Sequence, residues 1–275
     1  MAKEPARQLL FQCPGCQQMG LQATDLRWWC GTCGAQYPLT DGIPCLLPRS
    51  YDHAVRAHFE QAAAPGGYGA ELVGYTSPRV QATVKLACKG LLEHLPAHRL
   101  ILDAGCGHGF FVQDWARTNT VVGVDLALAM LRLARGVGVN AYQADARHLP
   151  FADLQFDLVI AAELLPHVAD AHLLVSELVR VTRPGGAIIL SSSNKGSLPH
   201  KAHETIALRR PSADGVVPLR RDWAELVVML KNLPCRIERV AVCYLPMPQI
   251  NYRHEPTEFD QKLASHYVVL LHVTD

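Results

Sequence analysis

Ile101-Leu102-Asp103-Ala104-Gly105-Cys106-Gly107-His108-Gly109 is an apolar run that stops on an acid and opens into three alternating glycines. Phe110 to Arg117 follows with helix-forming composition. The stretch predicts a strand, a loop and a helix whose backbone must approach a ligand closely. Glycine has no Cβ, so it permits positive φ and lets a ligand lie against bare backbone. The first turn of a helix offers unpaired N–H groups to negative atoms. Such a cradle points to an enzyme.

Apolar and helical stretches alternate from Arg99 onward. Leu100–Leu102, Val121–Val124, Ala141–Ala144, Leu158–Ala162 and Ala187–Leu190 read as strands. Phe110–Arg117, Leu126–Arg135 and Ala171–Val181 read as helices, the last opened by Asp170 and stopped by Arg183-Pro184-Gly185-Gly186. This alternation predicts an α/β fold with a mostly parallel sheet covered on both faces. Asp222–Leu233 reads as a further helix. Ile237–Tyr244 and Tyr267–Val273 read as an antiparallel pair at one sheet edge, with no helix between them. Upstream, Ala54–Ala64 has helical composition. Pro65–Gly69 is a flexible stretch, in whose neighbourhood Tyr68 and Tyr75 are candidates to close over a ligand. Pro78 opens a helix with Val80, Val84, Ala87, Leu91 and Leu95 about one turn apart.

In a parallel sheet ligands bind at the carboxyl ends of the strands, near the point where strand order reverses. Asp103, Asp125 and Asp145 fall at three consecutive strand ends. Asp125, after Val-Val-Gly-Val, is placed to accept both hydroxyls of a ribose. An acid at a strand end also serves as a helix N-cap, but three of them beside a Gly-x-Gly-x-Gly loop favour a ligand.

The blocks Leu-Asp-Ala-Gly-Cys-Gly-His-Gly (102–109), Val-Gly-Val-Asp (122–125) and Gln-Ala-Asp-Ala-Arg-His-Leu-Pro-Phe (143–151) stand in order. Phe-Asp-Leu-Val-Ile-Ala-Ala-Glu (156–163) and Arg-Pro-Gly-Gly (183–186) follow them. The series resembles the class I S-adenosylmethionine-dependent methyltransferases, most closely their type 11 branch. The resemblance implies a Rossmann-like methyltransferase sheet with an antiparallel edge strand. It implies that Asp103 and the loop of Gly105, Cys106, Gly107 and Gly109 hold the methionine moiety of S-adenosylmethionine. Asp125 would take the ribose and Leu126 the adenine, with Asp145 on the adenine amino group and Ala146 beside it. Ala161 and Glu163 would face cofactor and acceptor, and Phe110 would pack beneath the loop. Transfer from a sulfonium needs alignment and dryness more than a metal, with a base where the acceptor is a hydroxyl or amine. Among thirteen histidines, His167, in Glu-Leu-Leu-Pro-His-Val, is best placed for that role, with Glu163. His200 and His203 are candidates for the acceptor pocket.

Cys13-Pro-Gly-Cys16 and Cys30-Gly-Thr-Cys33 form two Cys-x-x-Cys knuckles separated by thirteen residues. Four soft ligands at this spacing favour a closed, tetrahedral structural zinc. A segment this short cannot bury a core alone, so the metal would supply much of its folding energy. Leu26–Trp29 and Ala35–Tyr37 read as ribbon strands and Asp41-Gly42 as a turn. Trp28 and Trp29 would point to opposite faces. Tyr37 to Pro48, with the knuckles, resembles the zinc-ribbon family of methyltransferase activator subunits. Cys45 reads as a buried small residue, and Cys88, Cys235 and Cys243 as core. The expected organisation is a zinc ribbon at 1–48, a linker and helices at 49–98, and a methyltransferase domain at 99–275.

The chain has 275 residues, 49% of them apolar and 19% charged, and a net charge of +1. A sizeable core is possible and wholesale disorder is not expected. No electrostatic case for nucleic acid or membrane arises from that balance. Met1–Gln12 has no extended apolar stretch, and no run reaches membrane-spanning length, so a cytoplasmic, reducing location is expected.

Four functions compete. The leading one is methyl transfer to a small-molecule acceptor. The second is an RNA base methyltransferase, because a four-cysteine ribbon joined to this fold is similar to bacterial rRNA guanine-N1 methyltransferases. Against it, residues 1–50 hold four cations and three acids, hardly a phosphate-binding face; Arg209-Arg210 and Arg220-Arg221 keep it open. A nicotinamide dehydrogenase is disfavoured, because its Gly-x-Gly-x-x-Gly needs the third glycine one residue later. A non-catalytic scaffold is disfavoured by the intact row of acids.

Overall fold

The computed structural model describes residues 8–63 except 26, 78–199 except 94, residue 201, 219–244 and 249–275. Its centre is a five-stranded parallel sheet of β5 (Leu100–Ala104), β6 (Thr120–Asp125), β7 (Asn140–Ala144), β8 (Phe156–Ala161) and β9 (Thr182–Ser193). Every residue of β5 and β8 is buried, as a parallel strand covered on both faces requires. Alternate side chains serve opposite layers. Leu100, Leu102, Val122 and Val124 join the core under α4 (Ala171–Val181) and α5 (Trp223–Leu230). Ile101 and Val121 join the core under α2 (Pro78–Leu91) and α3 (Leu128–Gly136). The order β7-β6-β5-β8-β9 reverses direction between β5 and β8, which opens a crevice at their carboxyl ends.

The ribbon comprises β1 (Leu21–Ala23), β2 (Arg27–Cys30), β3 (Gln36–Thr40) and β4 (Ile43–Leu46). Asp41 and Gly42 take φ of 53° and 73°, the signature of a tight hairpin. The last ribbon strand then joins the main sheet, parallel to β7 through Cys45–Gln143 and Leu46–Ala144. Phe11 meets Trp28 edge-on at 4.7 Å and Tyr142 of β7 at 5.4 Å. Trp28 is thus the tryptophan that faces the larger sheet, while Arg27 lies 6.0 Å over the ring of Trp29.

Three expectations are corrected. Phe110–Arg117 is a chain of turns, not a helix: Val112 and Gln113 N–H both reach the Gly109 carbonyl, and Trp115 and Ala116 both reach Val112. The Phe110 carbonyl accepts instead from Lys85 Nζ at 2.7 Å, so no continuous i→i−4 ladder forms. The helix expected from Leu126 starts at Leu128, because Asp125 Oδ1 accepts from Ala127 N and turns the chain first. At the far edge β10 (Cys235–Tyr244) and β12 (His266–Val273) do pair antiparallel, but β11 (Gln249–Arg253) is outermost. The short helix α6 (Glu258–Leu263), held by a Thr257–Asp260 capping box, separates β11 from β12. No helix among the described residues is long and apolar enough to cross a membrane.

Candidate cofactor and acceptor site

The carboxyl ends of β5 to β8 open on a cavity of about 600 Å³. One wall is the glycine loop. Gly107 has φ of +50°, and a Cβ built there meets nothing within 4 Å, so its backbone lies bare to the cavity. Gly109, with φ of +82°, is glycine for another reason: a Cβ there would stand 2.7 Å from Val137 Cγ2. Asp125 fastens this wall. Its Oδ2 accepts from Gly107 N and its Oδ1 from Ala127 N, each at 2.9 Å. Burial raises its pKa, the N–H bonds pull it down, and the Glu60 carboxylate pushes it up again.

Gly105, Cys106, Gly107, Asp125, Leu126 and Asp145 all line the cavity. So do Ala146, Glu163 and His167. Asp103, Gly109 and Ala161 do not; they stand behind the wall, and Ala162 takes the place expected for Ala161. Asp103 is 1% exposed, its Oδ2 has no hydrogen-bond partner among the described residues, and burial holds its pKa well above the carboxylate range. Asp145 sits in the fork of Arg147, with Nη2–Oδ2 at 2.6 Å and the Arg147 N–H on Oδ1 at 2.9 Å. A carboxylate has about four lone-pair sites, so this fork leaves acceptor capacity.

The opposite wall is largely α1 (His53–Ala62), which contributes Val55, Phe59 and Ala62. Composition made this segment a helix but gave it no part in the site. Glu60, on the same helix, accepts from Leu128 N at 2.7 Å and Ala129 N at 3.0 Å, so α1 is fastened to the first turn of α3. Phe110 and Phe111 line the cavity rather than pack beneath the loop.

His167 ends a 3-10 turn, Leu165–His167, with its ring edge-on to Phe59 at 5.1 Å. Burial, with His58 beside it, lowers its pKa to about 4. It is neutral at physiological pH and a weak base. Glu163 has a left-handed backbone with φ of 57°; its N–H donates to Ser191 Oγ, which donates back to Oε1, both at 2.7 Å. Ser191 was not expected in the site. Arg221 gives its guanidinium to the carbonyls of Leu165, Leu219 and Val168, which makes it a brace rather than a phosphate contact. Tyr68, Tyr75, His200, His203, Arg209 and Arg210 lie outside the described residues.

Away from the cavity, the Sγ atoms of Cys13, Cys16, Cys30 and Cys33 all lie within 4.8 Å of one another. All four cysteines are free, and the Cys13–Cys33 and Cys16–Cys30 sulfurs are 3.7 Å apart. That is no disulfide, and it matches the edge of a tetrahedron with metal–sulfur bonds of about 2.3 Å. Tyr37 OH braces the first knuckle through Cys13 Sγ at 3.0 Å and the Gly15 N–H. Cys45 is outside the quartet and donates to Thr40 Oγ1.

His167 and His266 both have pKa values lowered from 6.5 to about 4, first by burial. Between those values the unfolded chain binds more protons than the folded one, so their contribution is full above pH 6.5 and lost as pH falls towards 4. Urea unfolding at neutral pH and near pH 5 should show a smaller acid loss of stability in His167→Phe than in the unaltered chain. Equal losses would contradict a buried, neutral His167.

Residues 102–190 match the model of a family described as "Methyltransferase domain". A malonyl-[acyl-carrier protein] O-methyltransferase of Yersinia pestis is 35% identical over 161 residues, 57% of each chain. The aligned part thus spans about half the length of the curated relatives it matches. A magnesium protoporphyrin IX methyltransferase from Synechocystis, solved with bound SAH, superposes with a TM-score of 0.55 at 20% identity, covering 76% of this chain and 91% of its own. A chain from the complex of the Haloferax volcanii Trm112 methyltransferase activator with a methyltransferase superposes at 0.57 and 17% identity, covering 79% and 98%. At such identities the superpositions establish the fold. The five sequence blocks, the parallel sheet and the family match agree: residues 102–190 are a methyltransferase domain of the class I, S-adenosylmethionine-dependent kind.

Proposed function

We propose that the chain transfers methyl groups from S-adenosylmethionine to a small-molecule acceptor held in the cavity. The observation that carries this reading is one wall on which bare Gly107 backbone and the Asp125 carboxylate stand side by side at the strand ends. A nucleoside fits there by chemistry: Asp125 for the ribose hydroxyls, Leu126 for the adenine face, Asp145 and Ala146 for its amino edge. Gly105 to Gly107 take the methionine moiety, with the unpartnered Asp103 Oδ2 behind them. When bound, S-adenosylmethionine supplies an electrophilic methyl group on a positively charged sulfur. The residues then have to orient the acceptor, exclude water and receive its proton. Val55, Phe59 and Phe111 exclude water; Glu163 and His167 are the polar side chains facing the acceptor. The relative's name, an O-methyltransferase of an acyl group on a carrier, supports a small or carrier-linked acceptor over RNA.

We infer further that the cysteine quartet holds a structural zinc. Four thiolates leave no open position for a substrate, so the metal would serve the fold of the ribbon. Four free thiols also fit a reducing compartment such as the cytoplasm.

Calorimetric titration should show S-adenosylmethionine binding weakened about ten- to a hundredfold by Asp125→Ala, the worth of a hydrogen-bonded carboxylate. Near-normal affinity in a folded variant would refute the ribose assignment. Elemental analysis should find about one zinc per chain, and chelation should raise hydrogen exchange mainly in the ribbon. A metal-free protein with a protected ribbon would contradict the zinc.

A further inference from the structure

The helix α1 walls the cavity without being part of the core. It contributes Val55, Phe59 and Ala62 to the lining, yet none of its residues belongs to either of the two large core clusters. Of its ten residues only His58 and Ala62 are buried. β5 and β8, by contrast, are buried along their whole length. An element with so little apolar burial opens locally at low cost, and movable walls of ligand sites are drawn from such elements.

A carboxylate fastens this wall. Glu60 Oε1 accepts from Leu128 N at 2.7 Å and Oε2 from Ala129 N at 3.0 Å. These N–H groups open α3 and have no partner within the helix, so charge-assisted bonds and the helix dipole both favour a carboxylate there. Arg56, one turn earlier on α1, stands 3.7 Å from the same carboxylate. The donor just before them, Ala127 N, belongs to Asp125. Both oxygens of Glu60 are thus committed to α3, beside the residue that fastens the glycine loop. The preceding residue, Phe59, meets His167 edge-on at 5.1 Å, so α1 reaches from α3 to the turn after β8. Leu126, Met130 and Leu133 share the cavity with Ala62 and Ala63, and Glu60 itself stands outside the lining.

Resting on the methyltransferase reading, we propose that Glu60 is a positioning residue for the cofactor: its clasp on the first turn of α3 closes α1 over the bound nucleoside, and opening of that clasp lets the spent cofactor leave. The strand ends carry recognition and α1 carries retention. Glu60 acts through α1 and touches neither cofactor nor acceptor.

Radiolabelled S-adenosylhomocysteine, bound to the full chain and chased with unlabelled ligand, reads the release rate. Glu60→Ala should release it at least about tenfold faster, and Glu60→Gln, which keeps one acceptor oxygen, should fall between. Arg132→Ala, which frees the exposed face of α3 from Asp41 without touching Glu60, should release at the unaltered rate. Hydrogen exchange in residues 53–62 should be slowed by the ligand and quickened by Glu60→Ala, with β5 and β6 protected in both. Unaltered release from Glu60→Ala, equal acceleration by Arg132→Ala, or exchange in 53–62 that ignores the ligand would each overturn the proposal. So would loss of protection across the sheet in Glu60→Ala. Equal rates for the Ala and Gln variants would also overturn it, because they would make charge beside Asp125, not the clasp, the cause. Failure of S-adenosylhomocysteine to bind the unaltered chain would instead remove the methyltransferase reading, and this proposal with it.

Discussion

The hydrogen bond from Gly107 N–H to the Asp125 carboxylate joins the loop after one central strand to the end of the next. Everything at the site is arranged around that link. It fixes the loop with its backbone bare to the cavity, and it aims a carboxylate along the same wall. The second oxygen of Asp125 turns the chain at Ala127, so that α3 begins at the next residue, Leu128, and its first N–H groups are left for Glu60. One side chain thereby sets the loop, the start of a helix and, through Glu60, the position of α1 across the cavity.

The ribbon is built into this frame. β4 extends the parallel sheet beside β7, the strand that leads to Asp145. The Phe11–Trp28–Tyr142–Phe151 ring cluster closes the joint from one side. On the other, Arg132 and Arg135 of α3 reach Asp41 at the ribbon's hairpin. A metal that orders the knuckles would therefore also steady the edge strand of the sheet, two strands from Asp125.

How much of this was readable in the sequence follows from the range of the interactions. Strands buried on both faces leave continuous apolar runs, so Leu100–Leu102 and Leu158–Ala162 were found, and so were the acids that end them. The cysteine knuckles are local and metal-specific. Asp125, Leu126 and Asp145 line the cavity because they stand at or just past the carboxyl ends of β6 and β7, whereas Asp103, inside β5, and Ala161, the last residue of β8, stand behind the wall. The failures involve partners distant in the chain. Lys85 taking the Phe110 carbonyl, Glu60 capping α3, and Ser191 behind Glu163 leave no periodic trace. Arg147 was in view two residues from Asp145, but nothing in the spacing said that its guanidinium would fold back. The capping box at Thr257 and Asp260 was a readable start signal for α6 that was missed, and with it the edge strand β11.

A crystal structure of the chain with S-adenosylhomocysteine is the most direct measurement of the central claim. The account predicts a nucleoside lying across the ends of β5, β6 and β7, its ribose hydroxyls on Asp125 and its backbone contacts at Gly105 to Gly107. A ligand bound elsewhere, or an Asp125 that makes no contact with the ribose, would contradict it.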